Sequence, residues 1–512
     1  MRAVACALLV ACGGSADKPM PDAADTTAPT VSIANLTVGG AACVATPGCD
    51  CGAVAGDTIG FDVIASDDTG IAAVSYNTSI ASTPLTMTAA PPGAPAAVTT
   101  PFTLQVPASA GVETAVLVAS AVDPSSNSAS SPAVQLCVRP AVQPRQPVVA
   151  WEDTSPGQAE IYLEQWNGSA WVELGGSATG GGVSATSGGN SQEPAVALQP
   201  NGDPVVAWIE QATGGGIEQV FLKRWNGTAW EELGGSATGG GVSQAAAGNI
   251  GAQDVSIAVD SAGRIYVAWK FAETPGNVCC NLWVYVSRWN GSAWEELASS
   301  ASGTGINGTA DGSAPTIRID TSDRPVVAWN QEISSGCWVW LRRWSGSAWD
   351  ELASSASGNG LSGAMGGAAD PALAIDHAGN PVALWALDSA TAFDAVRFNG
   401  TSWDTLGTLA NGTCVAGLHY TATVDATNAP VAGAWPLGGG ASQVVRWNGT
   451  TWADTGLTGA TGQIALDADA TGIVAAWQAS GKIAVARWDG ASWQPLGSAL
   501  GTTASLPSIA AH

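Results

Sequence analysis

The pattern Trp-Asn-Gly-Ser-Ala-Trp, first met at Trp166–Trp171, constrains this chain more than any other stretch. It returns as WNGTAW at Trp225, WNGSAW at Trp289, WSGSAW at Trp344, FNGTSW at Phe398, WNGTTW at Trp447 and WDGASW at Trp488. The seven copies start 59, 64, 55, 54, 49 and 41 residues apart. Asn-Gly or Asp-Gly between two aromatic-bearing runs signals a β-hairpin, because both turn residues must tolerate positive φ. Each copy is therefore read as two antiparallel strands joined by a two-residue turn.

Two further pieces travel with the hairpin. An apolar run ending in Trp precedes each copy, at Trp151, Trp208, Trp269, Trp329, Trp385, Trp435 and Trp477. Before most of these runs lies a strand-like segment and a turn, such as PTIRIDTSDR from Pro315 and PALAIDHAGN from Pro371. Four short strands per repeat of this length is the pattern of propeller blades. The first repeat lacks its leading strand, and residues 506–512 read as that strand with nothing after it. The expectation is a seven-bladed β-propeller over residues 145–512, closed by the C-terminal strand so that no sheet edge is left open. Twenty of the 23 Trp fall at the three repeat positions, so the excess of Trp is read first as packing.

Ahead of the propeller, residues 28–139 read as six or seven short strands with turn signals between them. TAPTVSI followed by DDTGIAAVSY resembles bacterial surface immunoglobulin-like domains, which implies a β-sandwich serving as spacer or adhesion module. The expected fold class is thus all-β, an immunoglobulin-like sandwich followed by the propeller. The start, MRAVACALLVAC, resembles a bacterial lipoprotein signal ending at Cys12, the residue that would carry the lipid. An ordinary secretory signal is the alternative. Residues 1–12 would be the signal and 13–27 a flexible tether. The resemblance implies a place in the cell envelope, at the outer membrane or cell surface, or else secretion.

Eight cysteines outside the signal suit an oxidising compartment. Cys49 and Cys51 stand too close on an extended chain to bridge each other easily. One of them should pair with Cys43 and the other with Cys137; a zinc site here is the weaker reading. Cys279, Cys280, Cys337 and Cys414 fall in loops of the propeller, and a bridge from Cys279 or Cys280 to Cys337 is the expected link.

Arg precedes the hairpin aromatic in six of the seven copies, although the chain has only 17 Lys and Arg in total. The leading strands end in Asp at matching positions. Arg288, Arg343, Arg397, Arg446 and Arg487 are therefore expected to form structural ion pairs with Asp260, Asp320, Asp376, Asp425 and Asp467. Across a two-residue turn each of these Arg would face a small residue, as Arg288 would face Ala293. The Asp-x-x-Gly turns superficially resemble sialidase Asp-boxes, but they stand between the wrong pair of strands and lend that family no support.

A net charge of −25 argues against nucleic acid and against anionic membrane surfaces, so any membrane contact would run through the N-terminal lipid alone. None of the three His has a triad or metal-ligand context, and no phosphate loop or cofactor fingerprint occurs. No cofactor and no metal are expected, and catalytic residues are not singled out. The long, variable loops between the second and third strands mark one face as the functional one. Trp283, Trp338 and Trp340, the Trp that the repeat does not require, lie in or beside them and are the ligand-binding candidates.

The whole resembles bacterial surface lipoproteins in which an immunoglobulin-like spacer carries a Trp-rich, Kelch-like or lectin-like propeller. That implies a non-catalytic binding or adhesion protein with a glycan or surface-protein ligand. A glycan-active hydrolase or lyase and a purely structural envelope protein are the alternatives.

Overall fold

A computed structural model describes residues 25–43, 49–107, 113–139, 146–185, 189–211, 216–245, 249–273, 281–308, 311–333, 336–363, 368–387, 392–410, 419–435, 441–469 and 471–511. Every regular element among them is a β-strand. The chain divides into two compact units, Met1–Val142 and Gln143–His512.

The first unit holds a four-stranded and a six-stranded sheet. In the strand Thr58–Ser66, alternate residues Ile59, Phe61, Val63 and Ala65 are buried, as a strand with one covered face requires. They join Tyr76, Phe102, Leu117 and Leu136 in a single core. Disulfides link Cys43 to Cys51 and Cys49 to Cys137, with Cα atoms 5.5 and 5.8 Å apart. Cys12, Cys279, Cys280 and Cys414 lie outside the described residues.

The second unit is built from four-stranded antiparallel sheets consistent with a β-propeller. Five stand alone, and one eight-stranded sheet is two such sets joined by a single parallel bridge, Glu218 to Gly251. The apolar runs form the second strands. Val205, Val206, Ala207, Trp208 and Ile209 are buried without alternation, because both faces of the strand meet neighbouring sheets. The C-terminal strand Ala504–Ala510 pairs antiparallel with Val148–Asp153, so the last strand of the chain completes the first sheet.

The hairpins differ from the two-residue turns expected. The two aromatic residues of each copy face one another, as Trp166 faces Trp171, so four residues form the connection. The Asn side chain is responsible: Asn167 Oδ1 accepts from the N–H groups of Ser169 (3.0 Å) and Ala170 (2.9 Å), and Gly168 takes the positive φ of 99°. This register places acidic residues, not small ones, opposite several of the arginines. Arg224 faces Glu231, Arg288 faces Glu295 and Arg343 faces Asp350.

The ion pairs redistribute accordingly. Arg397 meets Asp376 at 2.8 Å and Arg446 meets Asp425 at 2.5 Å. Arg343 approaches Asp320 to 3.8 Å, but Asp320 is bound more closely by Arg324, at 2.7 Å. Arg288 turns to Glu295 (2.5 Å), leaving Asp260 to Arg264 (2.5 Å). Arg487 pairs with Asp469 at 2.5 Å and not with Asp467, because the strand Ile464–Asp469 ends two residues later than the sequence pattern indicates.

The second hairpin Trp has a role beyond packing. Its indole N–H donates to the sheet before it: Trp230 to the Leu174 carbonyl (2.7 Å), Trp294 to Leu233 (2.6 Å), Trp349 to Leu297 (3.0 Å), Trp403 to Leu352 (2.8 Å) and Trp452 to Leu406 (3.1 Å). Trp493 donates to Thr455 Oγ1 (3.1 Å), and Trp171 to Leu496 (2.6 Å), which carries the series from the last sheet back to the first. Replacing Trp294 by Phe removes one such bond and leaves the Leu233 carbonyl short of a donor. We expect a loss of about 1–3 kcal/mol, read as a lower urea midpoint with an unchanged slope. An unchanged midpoint would show that the bond does not stitch neighbouring sheets.

Candidate functional site

The leading strands of all these sheets surround one cavity of about 910 Å³. Five of the seven described leading strands line it with an irregularity, while His419–Val424 and Ile464–Asp469 pair without a slip. Pairing slips between Gln192 and Ala195, Gln253 and Ser256, Ser313 and Thr316, and Ala369 and Ala372. A matching slip lies between Ser505 and Ser508 in the C-terminal strand. At each slip one residue takes a left-handed conformation: Glu193 (φ 54°), Asp254 (55°), Ala314 (47°), Asp370 (48°) and Leu506 (48°). A β-bulge of this kind re-aims a side chain and stores strain in a non-glycine residue, a combination concentrated at functional sites. Proline follows four of the five, where the missing N–H is tolerated because a bulge residue is unpaired.

The bulges bring carboxylates together at the end of the cavity where the leading strands begin. Glu193 Oε2 accepts the Asp254 N–H at 2.9 Å, and Asp254 Oδ2 accepts the Ala314 N–H at 3.1 Å. Lys270, on the second strand of the Asp254 sheet, forms an ion pair with Asp254 Oδ2 at 2.9 Å. The left-handed N–H groups of Asp254 and Ala314 thus point at the acid of the preceding sheet, a geometry that a regular strand could not supply.

Glu193 is exposed by accessible surface, yet the surface it shows lines the cavity, where protein on several sides displaces bulk water. The loss of solvation therefore governs its chemistry. Burial, reinforced by the negative charge of Asp254, pushes its carboxyl up to about 7; the Asp254 N–H and Lys270 act in the opposite direction. A carboxyl near pH 7 beside a second carboxylate paired to Lys is the arrangement that divides acid and base roles between two like groups.

Deeper in the cavity the walls are small. At the level where Arg318 faces Val326, the corresponding positions hold Ala197, Ala258, Ala374, Thr423, Asp467 and Ala510. Arg318 and Asp467 are the two charged groups of this level, carried by sheets three apart in the chain.

The sequence-derived ligand candidates lie elsewhere. Trp283, Trp338 and Trp340 are all buried, on the third strands Asn281–Trp289 and Gly336–Trp344. Those strands run further than the repeat suggests, so the indoles enter the cores between sheets. Trp340 packs edge-on against Trp329, with centroids 6.2 Å apart, and Trp283 donates to Glu273 Oε2 at 3.1 Å. They form no exposed ring pair. Glu193, Asp254, Lys270 and Arg318 were not singled out by sequence reasoning. A signal existed: Glu193-Pro194 and Asp370-Pro371 stand at the same place in two leading strands three repeats apart, where an acid-Pro step marks a bulge.

In the first unit, Asp25, Asp67 and Asp123 place carboxylate oxygens within 4.8 Å of one another, the one such acidic group among the described residues. Asn127 Nδ2 already donates to Asp123 Oδ2 (2.7 Å) and to the Asp25 carbonyl (3.1 Å).

No family model matches the sequence, and no curated protein is similar to it. Among solved structures, the chain is similar to the Hadza microbial sialidase Hz136, with 10% identity, 84% of this chain and 90% of that one covered, and a TM-score of 0.39. It is also similar to AofleA from Arthrobotrys oligospora (10% identity, 66% and 96% covered, TM-score 0.38). The endo-arabinase from Bacteroides thetaiotaomicron is a third (13% identity, 49% and 93% covered, TM-score 0.29). At these scores the likeness gives no correspondence of side chains. The expectation of a non-catalytic binding or adhesion protein is nevertheless corrected. The exposed indole surface on which that expectation rested is buried.

Proposed function

We propose that the second unit is a seven-bladed propeller that hydrolyses glycosidic bonds at the mouth of its central cavity. The observation that carries this reading is the Glu193–Asp254 pair, two carboxylates on adjacent strained bulges with one carboxyl held near neutral pH. Glu193 is the general acid, giving its proton to the departing sugar oxygen as the glycosidic C–O bond breaks. Asp254 is the second carboxylate, anchored through Oδ2 by Lys270 and the Ala314 N–H, which makes Oδ1 the oxygen assigned to the reaction. Water supplies the new hydroxyl and its second proton restores Glu193. The first unit is an immunoglobulin-like spacer, and Cys12 tethers the chain by a lipid to the bacterial envelope, outside the cytoplasm.

The test is release of reducing ends from a panel of plant, fungal and host polysaccharides by the full chain and by Asp254→Asn. Removing the second carboxylate should lower turnover at least 100-fold, within the range that such groups contribute. Absence of turnover on every glycan, or an Asp254→Asn protein as active as the parent, would overturn the assignment.

A further inference from the structure

We propose that Arg318 is a binding subsite for an anionic group, so that the preferred glycan carries a carboxylate or sulfate on the sugar that enters the cavity first. This deepens the hydrolase reading and rests on it for the position of the cleaved bond, not for the binding itself.

Three observations converge on Arg318. Its guanidinium lines the cavity, and of its five N–H donors the structure commits one, Nη1 to the Ile317 carbonyl at 2.9 Å. The neighbours at its level are almost all Ala or Thr, so the lumen beside it is open rather than filled. Its counter-charge, Asp467, is held to the opposite wall by the N–H groups of Ala468 (2.9 Å) and Ala511 (2.7 Å), and acts on Arg318 through space. Burial pulls the guanidinium below its ordinary value, and Asp467 opposes that shift. A half-buried cation whose fork of donors is largely unspent is matched by a planar carboxylate or a sulfate oxygen pair.

Position adds the rest. Arg318 lies four residues along its strand from the bulge at Ala314, or about 13 Å at the rise of a β-strand. A short oligosaccharide spans that depth, its anionic end on Arg318 and a glycosidic bond beside Glu193 and Asp254. The chain as a whole carries a net charge of −25 and repels such a ligand. Selection must therefore come from this local cation, and Lys270 at the mouth is committed to Asp254.

Binding of trigalacturonate, galactotriose and 6-O-sulfated galactotriose to the full chain tests the proposal by calorimetry, with the parent, Arg318→Met and Glu193→Gln proteins. Trigalacturonate or the sulfated trisaccharide should bind the parent at least tenfold more tightly than galactotriose. Whichever does so identifies the anion as carboxylate or sulfate. Arg318→Met should remove that preference while the melting curve stays cooperative; Arg318→Lys should restore part of it. Glu193→Gln should keep the preference even though turnover is lost, which separates the subsite from the chemistry. Equal binding of all three sugars by the parent, or a preference that survives in Arg318→Met, would overturn it. If the preference is present but no protein cleaves any of the sugars, the subsite stands and the hydrolase reading falls.

Discussion

A chain ending at Thr503 is expected not to accumulate as a soluble monomer. The removed strand, Ala504–Ala510, pairs with Val148–Asp153 along most of its length and buries Ala504, Ile509 and Ala510 between sheets. Burying Ile509 contributes about 2 kcal/mol and each lost ladder hydrogen bond about 1 kcal/mol. The total is on the order of 5 kcal/mol or more, comparable to the whole stability of many domains. The deletion also bares Val148–Asp153 as an apolar sheet edge, ready to pair with another chain. Size-exclusion chromatography and thermal melting read the result. A truncated protein that elutes as a monomer and melts with the parent would show that the last strand does not close the ring.

Asp153 offers a milder version of the same experiment. Its carboxylate receives the N–H groups of Thr502 (2.8 Å) and Thr503 (3.2 Å) and the Thr503 hydroxyl (2.6 Å), just before the closing strand begins. Burial alone would raise its pKa, but these donors hold it well below the ordinary carboxylate range. A depressed folded-state pKa means stability that is present above the unfolded value of 3.8 and lost as pH falls toward the folded one. Acid should therefore loosen the closure, and Asp153→Asn should remove that part of the acid sensitivity.

Glu193→Gln is expected to lower glycan hydrolysis by 10²- to 10⁴-fold, the usual contribution of a positioned general acid. The proton must be on Glu193 for it to act, so activity should fall as pH rises through about 7. Lys270→Met should move that alkaline limb upward. Lys270 favours the ionised form of Glu193 directly, and its loss also leaves the Asp254 charge unopposed. The stability sign is the same: a carboxyl raised above its ordinary 4.5 makes the folded state progressively less stable as pH rises from 4.5 through about 7. A pH–rate profile flat from 6 to 8, or one unmoved in Lys270→Met, would remove Glu193 from the acid role.

The division between what sequence and structure each supply follows from the range of the interactions. Hairpins and apolar second strands are local patterns, repeated seven times, and repetition makes a weak local signal strong; the split first sheet follows from one repeat lacking the strand that the chain's last residues supply. The pairing of Cys49 or Cys51 with Cys43 and Cys137 could be narrowed because short chain separations restrict geometry. The four-residue turn was not legible in the sequence: Asn-Gly suits a two-residue turn equally well, and the choice depends on Trp facing Trp across the hairpin. That choice decided that Arg288 meets Glu295 instead of Asp260.

The site was set wholly by tertiary structure. Glu193 and Asp254 are 61 residues apart, and nothing local brings an N–H of one to the carboxylate of the other. The pair exists because two equivalent strands, each bent by a bulge, converge on one axis. Arg318 and Asp467 are further apart still, and they share a level only because their strands hold corresponding registers. Trp283, Trp338 and Trp340 looked exceptional in a sequence whose other indoles repeat, but exposure is a property of packing, and packing buried them. Sequence determined the repeating unit of this protein; which side chains face the cavity was decided by how those units close around it.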